Sequence, residues 1–496
     1  MIPLLPERAL RSLTAVAVAA MLAACADMGH LDAPAKLRDA EALGLTAPQG
    51  NPAAANAAAV PAVDVQWWLA FGDTQLNGLI GQALEGSPNL QIAKARLARA
   101  RSIIAVVDSN TKPQLNGALD LTRQKFSGDY IYPAPLGGSV QETGTLQLNG
   151  TWELDFFGKN RAALDSAMGA ANAAAADVDA ARVLLASNVA RSYFQWARLS
   201  DQLTVARRTL AQREETLKLV RDRVSAGLDT RLELNQSEGG LPQARQQIEA
   251  IGEQIMLTQH ALDALVAKPN ATQALAAPAL AKVQAMPLQS TIPADLLGRR
   301  ADIAAARWRV EAATGDVAYA KTQFYPNINL VAFAGLSSIG FDNLFNSASR
   351  QWGVGPAVRL PIFEGGRLRA NLRGKNADLD AAIESYNATV IDAVHDVADQ
   401  VASAQSVVRQ QAEQRDAQRA AEAAYDIAVQ RYGAGLGNYL NVLTAETSVL
   451  LQRREAVDLA ARALDTQVGL ARALGGGWQP GVATAGMSAL PQTPQQ

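Results

Sequence analysis

Few residues in this 496-residue chain belong to the types that perform covalent chemistry, and their spacing excludes most of it. Cysteine occurs once, at Cys25, which rules out an intrachain disulfide and any multi-cysteine metal site. The three histidines, His30, His260 and His395, lie far apart and lack the spacing of zinc ligands. No glycine-rich loop runs into Lys-Ser or Lys-Thr, and no nucleophile elbow is present. The run Gly475-Gly476-Gly477 follows a helical stretch and reads as its C-cap rather than as a phosphate cradle. Together these features argue against an enzyme. Lys and Arg number 45 against 47 Asp and Glu, a net charge of −2, so there is no basic excess for binding nucleic acid.

The cysteine has a context of its own. Arg8 and Arg11 precede an apolar run from Leu13 to Leu22, which continues into Leu22-Ala23-Ala24-Cys25. A basic start, a short apolar core and small residues read as an export signal over residues 1–24. The Leu-Ala-Ala-Cys stretch resembles the bacterial lipobox, in which the cysteine becomes the lipidated first residue of the mature protein. Ala26 follows, not the aspartate that favours inner-membrane retention, so the resemblance implies sorting to the outer membrane. The covalent lipid on Cys25 is the only cofactor expected. One acyl chain binds weakly, so stable anchoring needs more chains or a second membrane element. Residues 25–64, rich in Ala and Pro, read as a lipid-anchored linker, and residues 479–496 as a disordered tail. No apolar run approaches the roughly 18–20 residues of a spanning helix, so any membrane crossing must use strands.

Between linker and tail the chain is built for long helices. Leu203, Leu210, Leu217 and Val224 recur every seven residues, as do Leu234, Leu241, Ile248, Ile255 and Leu262. Later, Leu379, Ile383, Tyr386, Val390, Val394, Val397, Val401, Ala404 and Val408 step by four and three, and Leu443, Leu450, Val457 and Leu464 keep the heptad. Such repeats predict helices that coil around neighbours. Proline-free stretches over 161–226 and 367–434 predict two helices of roughly 100 Å at 1.5 Å per residue. Each ends at an Ala-Gly-Leu phrase, 226–228 and 434–436, with Gly227 and Gly435 supplying the turn. Gly239-Gly240-Leu241-Pro242 predicts a kink rather than an end, because the heptad phase survives across it.

Strand signals also come in two copies, at about 113–124 with 143–156 and at about 326–335 with 352–363. In the first, alternation puts Leu115, Gly117, Leu119 and Leu121 on one face. Strands of this length with one apolar face suit the wall of a membrane β-barrel. The plan is helix, two strands, long helix, tip and helix, repeated: residues 65–267, a connection at 268–293, then 294–478, with tips at about 223–235 and 431–443. Four strands cannot close a barrel, so several copies must share one, and a symmetric ring satisfies the helices as well.

Seven phrases carry a family resemblance: Trp67-Trp-Leu-Ala-Phe-Gly-Asp73, Trp152-Glu-Leu-Asp-Phe-Phe-Gly158, Leu296-Leu-Gly-Arg-Arg-Ala-Asp302, Ala320-Lys-Thr-Gln-Phe-Tyr-Pro326, Leu360-Pro-Ile-Phe-Glu-Gly-Gly366, Arg431-Tyr-Gly-Ala-Gly435 and Ala473-Leu-Gly-Gly-Gly-Trp478. The chain resembles the TolC-like outer-membrane factors, in particular the NodT/OprM-like efflux lipoprotein branch. Ala301 and Arg307 depart from the branch pattern, which usually has Pro and Glu there. The resemblance implies a mainly α fold with a membrane β-barrel: a homotrimer with twelve strands in the outer membrane and a periplasmic α-barrel of long coiled-coil helices. It implies the exit duct of a tripartite pump, passively conducting small toxic compounds or drugs, with an inner-membrane RND transporter and a periplasmic adaptor as partners. The localisation implied is the Gram-negative outer membrane, with lipid around the barrel. Carried over by position, Tyr432 and Glu233 are gate partners at the periplasmic tip, and Arg231 supports them. Asn441 and Thr444 stand where related channels often place an acidic ring, so Leu440, Asn441 and Thr444 are expected to close the entrance. Two alternatives remain at this point: the duct of a type I protein-secretion system, and a lipid-anchored structural coiled coil.

Overall fold

A computed structural model describes residues 28, 33, 35–37, 63–129, 131–284 and 296–479. The export signal, Cys25, most of the linker, residues 285–293 of the connection and the tail from residue 480 lie outside the described residues. In chain order the elements are α1 (Thr74–Gly86), α2 (Pro88–Ser109), β1 (Gln114–Lys125), β2 (Val140–Leu154), α3 (Lys159–Ser225), α4 (Arg231–Val266), α5 (Ala301–Thr322), β3 (Asn327–Ile339), β4 (Arg350–Arg359), α6 (Arg367–Gly433) and α7 (Tyr439–Ala473). The long helices α3 and α6 have 67 residues each, and both they and the helices after the tips start 208 residues apart. Helix α4 runs unbroken through Pro242. The strand expected to reach residue 363 stops at Arg359, since Pro361 cannot donate to a ladder. Among the described residues no helix is long and apolar enough to cross a membrane.

Two compact units emerge from the chain. One comprises Arg96–Ala174 and Ala305–Asn387 with the described residues up to Leu37. It holds a single antiparallel sheet in the order β1-β2-β3-β4. The register aligns Leu119, Leu146, Leu336 and Arg350 across the four strands. Since side chains alternate, one face then carries Leu115, Leu119, Leu121, Leu146, Leu148, Trp152, Leu330, Trp352, Val354 and Val358. The opposite face carries Asn116, Asp120, Thr145, Gln147, Asn149, Asn329, Ser337 and Gln351. The apolar face is open: Leu115 is 71% exposed, Trp352 78% and Val358 62%. A sheet that shows water its leucines and hides nothing beneath them needs an apolar medium.

The strand ends are staggered. β1 continues to Lys125, whereas β4 stops at Arg350, which lies level with Leu119. At the other end β1 begins at Gln114, level with Thr151, while β3 and β4 continue past that level to Asn327 and Arg359. Both rims therefore slope in the same sense, as they must when tilted strands lie in a barrel wall.

Below the sheet, α3 and α5 approach so closely that two contacts admit only glycine. A Cβ on Gly315 would lie 2.7 Å from the Ser166 nitrogen, and one on Gly169 would lie 2.8 Å from the Ala312 nitrogen. Ser166 also donates to Asp316 at 2.6 Å, and Lys375 from α6 reaches the same carboxylate at 3.1 Å.

The second unit comprises 38–95, 175–304 and 388–496 as far as these are described. Its main core gathers the aromatic residues of the Trp67–Asp73 phrase against Tyr193, Phe194 and Trp196 of α3. Phe71 meets Phe194 edge-on at 5.0 Å. Asp73 caps α1 by accepting from the backbone N–H groups of Gln75 and Leu76, and it also accepts the Tyr193 hydroxyl at 2.7 Å. The buried stripe of α6 does not hold one heptad phase. It follows Ile383, Val390 and Val397 and then moves to Val407, which is 1% exposed, leaving Val408 at 67%. In the first half of α7 the buried valines are Val442 and Val449, one residue before the half-buried Leu443 and Leu450, whereas Leu464 of the sequence heptad is itself buried.

Gly315→Ala is expected to destabilise the protein by about 1–3 kcal/mol, because the contact atoms are backbone and cannot move aside. Gly78→Ala, at an exposed position of α1 with open space around it, is expected to be neutral or slightly stabilising. Urea unfolding of the two variants measures the contrast.

Candidate functional site

The candidate site is the pair of turns joining α3 to α4 and α6 to α7. Both turns have the same backbone. Gly227 donates to the Val224 carbonyl at 3.0 Å and Leu228 to the Arg223 carbonyl at 2.9 Å. In the second turn Gly435 donates to Tyr432 at 3.0 Å and Leu436 to Arg431 at 2.8 Å. This is the Schellman pattern, and it requires the left-handed conformation found at Gly227 (φ 73°) and Gly435 (φ 75°). The leucines of the two phrases, Leu228 and Leu436, are 65% and 69% exposed. Each following helix is capped at the matching position, by Thr230 in the first turn and Asn438 in the second.

Side chains then make the two turns unequal. Tyr432, near the end of α6, is fully buried. Its hydroxyl donates to Asp229 Oδ2 in a short hydrogen bond across the two turns. Arg223, at the end of α3, holds the same carboxylate, with Nε at 2.9 Å and a second guanidinium nitrogen at 3.3 Å. It also donates to the Tyr432 carbonyl at 3.0 Å and lies 4.6 Å above the Tyr432 ring centre. Tyr439 packs beside Tyr432, with ring centres 5.9 Å apart. The Arg223–Asp229 pair is nearly enclosed, with side chains only 12% and 11% exposed. The Arg223 hydrogen bonds, followed by that of Tyr432, hold the Asp229 carboxyl below its ordinary range. Burial and the neighbouring Asp229 push the Tyr432 hydroxyl well above its usual value, so it remains a donor.

The expected pairing of Tyr432 with Glu233 is thus corrected within the chain, where Asp229 is the partner. Glu233 closes a capping box instead. Its carboxylate accepts from the Thr230 backbone N–H at 2.8 Å and from the Thr230 hydroxyl, while Leu232 N–H donates to the Thr230 hydroxyl at 3.1 Å. Arg231 is exposed and makes no ion pair among the described residues; Arg223 fills the role expected of it. Leu440 is 62% exposed, and Asn441 and Thr444 are exposed. Asn441 N–H donates to the Asn438 side chain at 3.1 Å, and the Thr444 hydroxyl donates to the Leu440 carbonyl at 2.9 Å. Leu440, Asn441 and Thr444 therefore lie along one turn of α7 that no other described part of the chain covers.

Behind the turns, a ladder of polar pairs runs beside the apolar contacts between α3 and α7. Arg191 pairs with Asp465 at 3.2 Å, Arg198 with Asp458 at 2.7 Å and Arg213 with Glu446 at 2.5 Å. Arg453 of α7 bonds Gln212 of α3 at 2.9 Å and Glu422 of α6 at 3.1 Å. Arg213 also donates to the Gly240 carbonyl at 2.8 Å, which ties the glycine-proline segment of α4 to the same ladder.

Comparison with known proteins agrees with this architecture. Residues 79–268 and 292–476 match the family model described as outer membrane efflux protein. The chain is 33% identical to the multidrug resistance outer membrane protein MdtQ of Escherichia coli O6:H1 over 424 residues, covering 84% of this chain and 88% of that one. It is 39% identical to the fusaric acid resistance protein FusA of Burkholderia cepacia over 372 residues, covering 74% and 69%. The solved outer membrane protein VceC of Vibrio cholerae superposes with a TM-score of 0.78 at 36% identity, covering 83% of this chain and 98% of that one.

The Tyr432–Asp229 bond is expected to couple the two turns by about 1–3 kcal/mol, the worth of a hydrogen bond to a charged group. A double-mutant cycle of Tyr432→Phe and Asp229→Asn, read by urea unfolding, measures that coupling. Because the Asp229 carboxyl titrates below its ordinary value of 3.8, the coupling is fully present above that value. It is lost only as pH falls through the lowered one. Coupling that already fades between about pH 7 and 5 would contradict the assignment.

Proposed function

The chain belongs to the outer membrane efflux protein family and is an outer-membrane exit duct for efflux pumps, and we propose that it works as a homotrimer gated at its helical turns. The observation that carries this reading is the two-faced sheet with open edges. β1 and β4 are those edges and run antiparallel, so β4 of one copy can pair with β1 of the next without breaking the pattern. Two copies would give about eight strands, a barrel that side chains fill; three give twelve and leave room for a lumen. The apolar face then meets lipid and the Asn, Gln and Thr face lines the passage.

The Arg223–Asp229–Tyr432 group is the latch that holds the two hairpins of a chain together at the entrance. Leu440, Asn441 and Thr444, uncovered in one chain, are the surface that neighbouring copies bring together there. A periplasmic adaptor would loosen the latch, and an inner-membrane transporter of the RND type would drive the cargo. The relatives' names, multidrug resistance and fusaric acid resistance, support small toxic compounds as cargo. Cys25 carries the lipid anchor. Met28, three residues later, packs against the cluster of Val317, Phe324 and Leu372 close to the start of β3. Ala35 N–H donates to Asp380 at 2.8 Å, and Asn387 donates to the Lys36 carbonyl at 3.1 Å. These contacts fasten the start of the mature chain near the end of the sheet where the helices attach.

Planar-bilayer recording tests the duct. The purified protein should run as a heat-modifiable trimer and conduct poorly. Tyr432→Phe combined with Asp229→Ala should raise conductance several-fold. With Asn441 and Thr444 at the entrance, millimolar magnesium on the side of the turns should leave conductance nearly unchanged. An elongated dimer without conductance would overturn the reading, and strong divalent block would overturn the neutral entrance. Cys25→Ser should abolish incorporation of labelled palmitate while leaving the trimer in the outer-membrane fraction; labelling that persists would place the lipid elsewhere.

A further inference from the structure

All four helices joined to the strands attach at one end of the sheet, so the hairpin loops 126–139 and 340–349 mark the other, outer end. At that end the apolar face changes character. Alternation sets Arg123 and Lys125 in line with Leu121 on β1, and Arg350 in line with Trp352 on β4. Lys125 and Arg350 are exposed and make no ion pair among the described residues. Arg123 reaches Glu142 only at 3.6 Å, and its side chain is 72% exposed. The other carboxylates at this end, Asp129 and Asp342, lie in the two loops beyond the strands.

The loop after β3 folds back over this face. Leu344 is buried, and a Cβ on Gly144 would lie 3.2 Å from it and 3.3 Å from Leu121. Trp352, two residues from Arg350 on the same face, and Phe345, next to Leu344 in the loop, are each 78% exposed at this end. Aromatic rings mark the boundary between lipid and water, and charge on the lipid face is tolerated only near that boundary. Cations that face lipid serve no purpose for a passage on the opposite face.

We infer that where two copies meet, Arg350 of one and Arg123 and Lys125 of the partner subunit form a site for the phosphate of an anionic outer-leaflet glycolipid. The inference rests on the closed barrel proposed above, since β1 and β4 are opposite edges of one sheet. The sloping rim brings the outer end of β4 to the height of the outer end of the next β1, and so brings the three cations together. A guanidinium fork suits a phosphate, and the lysine adds a second charge to the same group. The acyl chains of the lipid then lie against Trp352, Leu121 and Val354. Neither edge holds the full set, so the site is absent from a single copy.

Native mass spectrometry of the detergent-purified trimer tests this with three probes: bisphosphorylated lipid A, the same lipid dephosphorylated, and inorganic phosphate. The phosphorylated lipid should be retained, and Lys125→Gln with Arg350→Gln should weaken retention about tenfold or more. The dephosphorylated lipid should bind as weakly to the native trimer as the phosphorylated lipid does to the variant. Lys125→Arg should restore binding, and unchanged conductance shows that the variants are folded. Equal retention by variant and native protein overturns the site, and inorganic phosphate binding as tightly as the lipid overturns its assignment to a lipid. If the protein is no trimer, the closed barrel falls and this site with it; a trimer indifferent to the lipid phosphate overturns this inference alone.

Discussion

The register of the two helical hairpins depends on an antiparallel ladder in which arginines of α3 meet carboxylates of α7. Arg191 with Asp465, Arg198 with Asp458 and Arg213 with Glu446 join the first helical hairpin to the second at nearly constant register. A ladder of discrete charged rungs does not slide. One inserted residue turns a helix by about 100° and would carry every later rung off the shared face. Arg453 and Glu446 are almost buried, so an unpaired rung would leave a charge without water. The same 208-residue offset between the starts of α3 and α6 and between the starts of α4 and α7 follows from this. The hairpins must reach their turns together, and only equal lengths allow it.

Where the constraint is absent, the two copies drift. The loop between β1 and β2 spans 126–139, and that between β3 and β4 spans 340–349. β2 has 15 residues and its counterpart β4 has 10. The sheet tolerates such differences because ladder hydrogen bonds are local and a rim can end anywhere along a slope. The helices tolerate none, because their partners are fixed by side chains spread along the whole seam.

That contrast explains what the sequence reveals and what it hides. The duplicated plan, the four strands, the two-faced sheet and the glycine turns follow from periodicity and from residues with narrow conformational uses. The lipid-facing set of Leu115, Leu119 and Leu121 is visible as alternation alone. The seam is harder. A straight helix drifts about 20° per heptad, so an apolar stripe identified at Val397 has rotated away before Val408, and Val407 is buried instead. Much of the seam is also Arg, Glu and Gln, which an apolar pattern cannot detect. At the turns, one signal was legible and points to the correct partner. Thr230-Arg-Leu-Glu233 is a capping box, which commits Glu233 to its own helix and leaves Asp229 for Tyr432.

The two turns share a backbone and differ in side chains, and the difference sets which hairpin can move. Arg223 and Arg431 occupy matching positions, yet only Arg223 finds a carboxylate, because Asp229 is matched by Gly437. Arg431 reaches only the Leu436 carbonyl, at 3.2 Å and exposed. Tyr432 therefore hangs from the first turn, while nothing in the second turn holds the first by an equivalent bond. The segments behind them differ in the same direction. Gly239, Gly240 and Pro242 of α4 face Thr447, Ser448 and Leu450 at the matching positions of α7. Proline removes from α4 the backbone hydrogen bond to the Glu238 carbonyl, and Arg213 donates close by to the Gly240 carbonyl while it holds Glu446. The polar links from the first hairpin to the second in this region include the Tyr432–Asp229 bond, the contacts of Arg213 and Arg223, and the bond from Arg453 to Gln212. Releasing Arg223 together with the Tyr432–Asp229 bond loosens the second hairpin at its turn, while the rungs further from the turn keep the rest of the seam in register.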